Sequence, residues 1–302
     1  MTRIEQLSAF FDAIETSKLE VRYKPILNVR DDRAEIIALD CLVYWDEYFD
    51  DSSKLEFLFY HIEKNGLSGV VDQHVIERVL SDWHENANLK CWPDLKIMIT
   101  VCSDSFSNSD FFTFLSATAK RHQFDLNRLI LTVRQRIPLE EKEKHQLVFH
   151  EARELGIELC LPHGIEQGVF HDYLLSDDFQ WIKLRRSLVH LAHENRLAQK
   201  YLHNFYDTAS NLGKKAYISG VDNDQMMLTN LSNGYSIVSG HYFSIPVSSK
   251  EIDTMLAYWF SREIYLKYRA RIDTRGGILH APSFDDIKLE SRVVMLKQRP
   301  TL

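Results

Sequence analysis

The chain has 302 residues, of which 45% are hydrophobic, enough for two ordinary domains or for one large barrel with an appendage. The formal net charge of -7 at pH 7 argues against a general nucleic-acid-binding protein, because such proteins usually carry a basic surface. No apolar stretch of ~20 residues and no basic-then-apolar leader is found, so we expect a cytoplasmic protein without a membrane segment.

An amphipathic helix and a strand hairpin open the predicted domain. Residues 1–17 form the predicted N-terminal helix, with apolar side chains at helical spacing. The stretch VRYKPILNV (21–29) then predicts a strand, and AEIIALDCLVYW predicts a second strand after a short turn. Within the second strand Asp40 is the one acid in an otherwise apolar run. A buried carboxylate is costly unless it is paired or holds a metal, which makes Asp40 a candidate site residue.

Helices and strands alternate through the rest of the predicted barrel. Helices are predicted near 54–64, 70–85, 109–121 and 139–154, and strands at 95–101, 128–133, 156–162, 179–184, 215–219 and 235–243. This alternation predicts a parallel sheet, and eight strands in this order suffice for a closed barrel. A further helix is predicted at 251–270, followed by a loosely structured tail with a basic end.

Cysteine usage indicates reduced thiols in the core. Cys41, Cys102 and Cys160 lie in apolar runs, and the four cysteines of the chain form no CxxC pair. A zinc site requires closer pairs and a histidine at fixed spacing. We therefore expect buried free cysteines and no cofactor.

The candidate site lies where the strands of a parallel barrel end. In chain order these ends carry Asp40, Thr100, Thr132, Pro162, His163, Lys183, Ser219 and Ser239. A metal-assisted hydrolase needs several carboxylates there, because Mg²⁺ is a hard ion that takes oxygen ligands. One acid, one base and mostly neutral residues predict that no divalent metal ion binds.

The order of these motifs resembles that of the EAL domain, a bacterial barrel family that hydrolyses cyclic di-GMP. VRYKPILNV resembles the family's opening strand, and ALDCLVYW falls where the Glu-Ala-Leu signature is expected. RLILTV, ELGIELCLP, WIKLRRSLV, ISGVD and SGHYFSIP follow in family order. The resemblance implies an α/β fold: a TIM-like (β/α)8 barrel over residues 18–258 with its first strand antiparallel, plus a C-terminal helix and tail over 259–302.

The residues at the family's functional positions differ from the family pattern. These vestigial positions are Asp40, Tyr44, Thr100, Thr132, Gln135, Pro162, His163, Lys183, Arg185, Ser219 and Ser239. Lys183 alone is kept by identity, and Asp40 replaces a ligand glutamate with a side chain shorter by about 1.5 Å. Since nothing then activates an attacking water, the resemblance implies a degenerate member that is not an enzyme.

The resemblance also implies a mode of action. We expect a regulator that works by protein–protein interaction, as an adaptor or sequestering factor, for example in control of motility, biofilm formation or RNA turnover. The alternatives are a sensor that binds cyclic di-GMP without cutting it and, with less support, an active phosphodiesterase. We expect no tight cyclic di-GMP binding, contact with nucleic acid only indirectly if at all, and either a monomer or a homodimer.

Several local alternatives stay open at this point. Asp40 can pair with Lys183, since both should point into the barrel end. His163, His241 and Cys102 are candidates for a soft metal site, against ordinary polar filling of a vacated pocket.

Two further alternatives concern a nucleophile and a contact surface. Ser219 or Ser239 can act as a nucleophile with His163, although no G-x-S-x-G turn is present. Tyr48 and Phe49, in the acidic loop DEYFDD, form a candidate partner-contact patch.

Overall fold

A computed structural model describes most of the chain. The described residues are 3–16, 18–30, 33–45, 52–86, 89, 92, 94–106, 108, 110–133, 142–162 and 169–260. The predictions made for Gln135, His163, Tyr48 and Phe49 lie outside these residues, as does the tail from 261 onward.

Eight strands form a closed barrel in the order of the sequence. The strands are β1 (Leu19–Arg30), β2 (Arg33–Trp45), β3 (Lys96–Val101), β4 (Leu129–Val133), β5 (Glu158–Pro162), β6 (Phe179–Leu184), β7 (Lys215–Ser219) and β8 (Ile237–Ser239). β1 runs antiparallel to β8, whereas the pairs β3–β4, β4–β5 and β7–β8 are parallel. The predicted mixed barrel is confirmed.

The described residues also contain eleven α-helices. They are α1 (Arg3–Glu15), α2 (Ser52–Lys64), α3 (Ser68–Glu85), α4 (Ser103–Phe106), α5 (Phe111–Arg121), α6 (Lys142–Glu154), α7 (Val169–Leu174), α8 (Arg186–Glu194), α9 (Arg196–Asn211), α10 (Asp224–Ser232) and α11 (Ile252–Phe260). α9 shows why they form: Ala198, Leu202, Phe205 and Ala209 are buried at a spacing of three or four residues. Within the described part of the chain, no helix combines the length and apolar character needed to cross a membrane.

The chain divides into two compact units. Unit 1 comprises residues 1–23 and 39–182. Its centre is β4, all of whose residues are buried, in register with β3 and β5. Phe149 forms ring contacts with Phe179 and Tyr173, at centroid distances of 5.1 and 5.6 Å. Aromatic packing of this kind adds to the apolar area that the unit buries.

Unit 2 comprises residues 24–38 and 183–302. In it β1 pairs with β8 at Leu27 and Val238. Asn195 ends α8 and begins α9, since its backbone N–H bonds to Leu191 while its side chain accepts from the first turn of α9. Helix α11 packs its Trp259 ring 5.7 Å from Phe243, which accounts for the part of the predicted C-terminal helix that the structure describes.

The last strand is shorter than predicted, three residues instead of the nine of 235–243. The chain turns at Gly240, where a Cβ atom would lie 1.8 Å from the backbone oxygen of Val221. The carbonyl of Ser239 accepts hydrogen bonds from Gly220 and Val221, at 2.9 and 3.0 Å. This close approach of two backbone segments holds the ends of β7 and β8 together.

Candidate functional site

In unit 1 the vestigial positions lie along β2, where Asp40 is in the middle of the strand, and near the ends of β3, β4 and β5. Asp40 on β2 is 1% exposed. Thr100 on β3 and Thr132 on β4 are register partners, so they lie side by side as the sequence order predicts. Tyr44, at the family's phosphate-binding arginine position, lies under the guanidinium of Arg22, which is 3.3 Å from the ring centroid. That contact occupies the face of the ring with a cation from the protein itself.

Thr132 is buried without a described hydrogen-bond partner. It is 3% exposed, and its Oγ1 has no hydrogen-bond partner among the described residues. Its register partner on the other side is Cys160, which is fully buried. Cys41, Cys102 and Cys160 are all buried and form no disulfide bond, as predicted. A neutral, buried hydroxyl in this setting is a weak replacement for a carboxylate ligand.

In unit 2 the corresponding positions form a short polar chain. The Nζ of Lys183 lies 5.5 Å from the centroid of the Tyr217 ring. The Tyr217 hydroxyl and the Ser239 Oγ are 2.6 Å apart and hydrogen-bonded, and both residues are fully buried. Ser219 is the register partner of Ser239. Because Tyr217, not a histidine, contacts the Ser239 hydroxyl, this arrangement does not support Ser239 as an activated nucleophile.

An exposed charged cluster follows β6 and β7 in the same unit. Arg186 donates to Asp222 over 2.8 Å, and His190 lies 3.2 Å from the same carboxylate oxygen. The side chain of Arg186 also covers Gly220, whose φ of +90° favours glycine. Arg186 therefore makes structural contacts within unit 2. Arg185 stands at the vestigial position where the family pattern has an aspartate. It is exposed and directly precedes α8.

Helix α3 supplies two buried carboxylates that sequence reasoning missed. Asp72 accepts a hydrogen bond from the backbone N–H of Cys102 over 2.8 Å, which fixes the chain just after β3. Asp82 accepts from the Tyr23 hydroxyl over 2.7 Å and pairs with Arg78 over 3.1 Å. Burial raises the pKa of Asp82, although the bonds from Tyr23 and Arg78 oppose this. The available signal was an acid within an apolar helical stripe.

The sequence model of the EAL domain matches residues 7–246 of the chain. The chain belongs to the EAL domain family. Among curated proteins, this EAL domain is 21% identical over 245 residues to the uncharacterized protein y4lL of Sinorhizobium fredii. The match covers 81% of the chain but only 29% of that relative's length.

Solved structures of EAL domains share the fold. The EAL enzyme Bd1971, in a form with cAMP and cyclic di-GMP bound, superposes with a TM-score of 0.75 at 17% identity, over 84% of this chain and 69% of its own. The PaMucR phosphodiesterase in complex with c-di-GMP gives 0.70 at 15% identity, over 82% and 99%. The FimX EAL domain of Xanthomonas citri with c-di-GMP gives 0.68 at 16%, over 82% and 95%. At these identities the likeness establishes the fold.

The described residues at the vestigial positions do not fit a divalent metal ion. The described residues hold no group of three or more His, Cys, Asp or Glu side chains arranged to bind one. Among the described vestigial positions Asp40 is the one carboxylate, and the others offer hydroxyls, a proline or a cation. Hard divalent ions take several oxygen ligands, mostly from carboxylates, and Lys183 adds a positive charge.

The alternative soft metal site gains no support from the described part of the chain. Cys102 is fully buried in unit 1, beside its bond to Asp72. His241 is exposed in unit 2, where its backbone N–H lies 3.4 Å from Asp222. Each of the two residues is thus engaged in its own local structure.

Proposed function

We propose that this EAL domain protein is a non-catalytic regulator that acts by binding another protein. The observation that carries the proposal is the donor set at the strand ends, where Thr132, Ser219 and Ser239 stand at positions that the resemblance assigns to functional side chains. In metal-assisted phosphodiester hydrolysis the ion generates the attacking hydroxide and neutralises charge on the phosphate. Neutral hydroxyls do not hold an ion that performs either step.

Loss of the nucleotide contacts supports the same proposal. Tyr44 stands at the phosphate-binding arginine position and its ring face is covered by Arg22. A tyrosine there supplies no bidentate, charge-assisted bonds to a phosphate. We therefore propose that cyclic di-GMP binds weakly or not at all. The barrel itself is intact, so its outer surface remains available for docking a partner.

The decisive experiment measures turnover and binding on one preparation. Purified protein is incubated with cyclic di-GMP and either Mg²⁺ or Mn²⁺, and the linear dinucleotide is quantified by chromatography, with the PaMucR phosphodiesterase as the active control. We expect no product, and no heat on calorimetric titration with the nucleotide. Metal-dependent product overturns the proposal, whereas a saturable isotherm without product favours the sensor alternative.

The protein-binding half of the proposal has its own test. Affinity purification of the tagged full chain from its native cell is expected to recover a regulatory or signalling protein in stoichiometric amount. Sedimentation of the purified chain establishes in parallel whether it is a monomer or a homodimer. Recovery of the chain alone, under conditions that preserve other complexes, contradicts an adaptor role.

A further inference from the structure

Helices α8 and α9 of unit 2 carry apolar side chains beyond those that their core contacts use. Leu197 is 76% exposed, Leu191 52% and Tyr201 48%. Leu197 and Tyr201 are four residues apart, so they share one face of α9. This face lies beside the buried stripe of α9 and is not part of it. Single exposed leucines are ordinary, but here an aligned pair is joined to a third residue through Asn195, whose backbone N–H bonds to the Leu191 carbonyl and whose side chain accepts from Leu197. We call these three residues the strip.

The strip is held in a fixed arrangement. The Tyr201 ring stacks on Phe205, with centroids 6.2 Å apart and an interplanar angle of 18°. Phe205 itself is 8% exposed, so it anchors the tyrosine to the core. The Asn195 side chain accepts from the N–H of Leu197 over 2.9 Å, which places Leu197 in a capped first turn. Binding to such a surface costs little ordering entropy.

The charges beside the strip are two cations and one carboxylate. Arg196 and Lys200 directly precede Leu197 and Tyr201, the two strip residues of α9, and both are exposed. Neither forms an ion pair with any other described residue. The carboxylate is Glu194, which is exposed at the end of α8. On α9 itself two cations thus border the apolar strip, in a chain whose net charge is -7.

We infer that this α8–α9 strip, formed by Leu191, Leu197 and Tyr201 with Arg196 and Lys200, docks an acidic amphipathic helix of a partner protein. The inference rests on the proposed function and names the surface that it uses. Leucine and tyrosine anchors pack against the partner's apolar stripe, while the two cations meet its carboxylates.

A protein partner fits this surface better than a membrane does. Helices that lie in a lipid interface present a broad apolar face, with many lysines and arginines along the polar side. On α9 the broad apolar face is already buried by Leu202 and Phe205, which leaves a narrow strip with two cations. A peptide helix of matching width and opposite charge is the complementary ligand.

The test uses the full chain and defined peptides. The probe is a fluorescein-labelled synthetic helix of about 15 residues, with leucines at i, i+3, i+4 and i+7 and glutamates on both flanks. The comparison peptide keeps the leucines and replaces each glutamate by lysine. By fluorescence anisotropy, we expect the acidic peptide to bind at least about tenfold more tightly than the basic one.

Variants locate the binding to the strip. The double variant Leu197→Ser, Tyr201→Ser should lower the affinity for the acidic peptide by about tenfold or more. The control Leu147→Ser, at a 73% exposed leucine of α6, should leave that affinity unchanged. Arg196→Glu with Lys200→Glu should reverse the preference in favour of the basic peptide. This charge reversal keeps the test decisive if the serine variant unfolds, which circular dichroism monitors.

Several outcomes overturn the inference. They are equal affinity for both peptides, equal loss in the Leu147→Ser control, and strip-dependent binding to phosphatidylglycerol vesicles in place of the peptide. Strip-dependent self-association on sedimentation, without peptide binding, overturns it as well. Turnover of cyclic di-GMP by the same preparation contradicts the proposed function separately. Absence of both turnover and peptide binding therefore contradicts the proposed docking surface but not the proposed regulatory function.

Discussion

Two vestigial hydroxyls, one in each unit, have opposite environments. In unit 1 the Thr132 hydroxyl is buried and has no partner among the described residues. In unit 2 the equally buried Ser239 hydroxyl is bonded to Tyr217, beside Lys183. Both stand where EAL domains place functional side chains. The difference shows two ways in which a hydroxyl is buried in this fold, without a partner among the described residues or bonded within a polar chain.

The largest effect is expected at Gly240, and it tests whether the polar chain formed by Lys183, Tyr217 and Ser239 depends on the turn that follows β8. Gly240→Ala forces a Cβ atom to within 1.8 Å of the Val221 oxygen, and backbone on both sides leaves no flexible group to yield. We expect the free energy of unfolding to fall by about 3 kcal/mol or more. Urea denaturation followed by circular dichroism measures the loss.

The matched control for that substitution lies in unit 1. At Gly69, near the start of α3, an added Cβ atom would have no other atom within 4 Å. Gly69→Ala should raise stability by a few tenths to about 1 kcal/mol, because alanine favours the helix. A Gly240→Ala protein as stable as wild type would mean that the two backbone segments can separate at little cost.

Breaking the polar chain itself should have the next largest effect. Tyr217→Phe leaves the Ser239 Oγ buried without its 2.6 Å partner, at a cost of about 1–3 kcal/mol. Adding Ser239→Ala removes the orphaned hydroxyl and should recover part of the loss, which a double-mutant cycle in urea quantifies. No recovery in the double variant would show that Tyr217→Phe acts through packing alone.

The corresponding change in unit 1 should be nearly silent. Thr132→Val replaces a hydroxyl that makes no hydrogen bond within the described structure by a methyl group of similar size. We expect stability to stay the same or to rise by up to about 1 kcal/mol. A loss of about 1 kcal/mol or more would assign the Thr132 hydroxyl a hidden polar role and would remove the contrast with Ser239.

The smallest effect concerns His74 of α3, another unit 1 group with an unpartnered buried atom, its Nε2. Burial, then the charge of Arg78, lowers the pKa of His74 from 6.5 despite its bond to the Leu19 backbone. The unfolded chain therefore takes up a proton first, and stability falls as pH drops through about 6.5. His74→Gln should flatten the stability curve between pH 7.5 and 5.5, on the order of a fraction of a kcal/mol. An unchanged slope contradicts this reading.

Apolar strand patterns and motif order were sufficient to predict the barrel and the neighbours within the site. The run LKIMITV predicted β3, and the register places Thr100 beside Thr132 and Ser219 beside Ser239. Three-dimensional contacts account for what was missed. β8 ends early because Gly240 meets Val221, nineteen residues earlier in the chain, and sequence pattern is silent on such approaches.

The supporting carboxylates were missed for a related reason. Asp72 and Asp82 lie on a helix, where an acid normally faces water. They are buried because of their neighbours in the fold: Asp72 accepts a hydrogen bond from the backbone N–H of Cys102, and Asp82 accepts one from the Tyr23 hydroxyl. Tyr217 was likewise not predicted as a site residue, since the strand pattern does not show that its hydroxyl reaches Ser239. Pairing of Asp40 with Lys183 stays a prediction.

Asn195 joins α8 to α9 with no residue to spare, since the same amino acid terminates one helix and initiates the other. Because a single residue separates the two helices, we expect them to move together. Lengthening the joint by one glycine would decouple them, and a reporter group attached to either helix would then report independent tumbling of each.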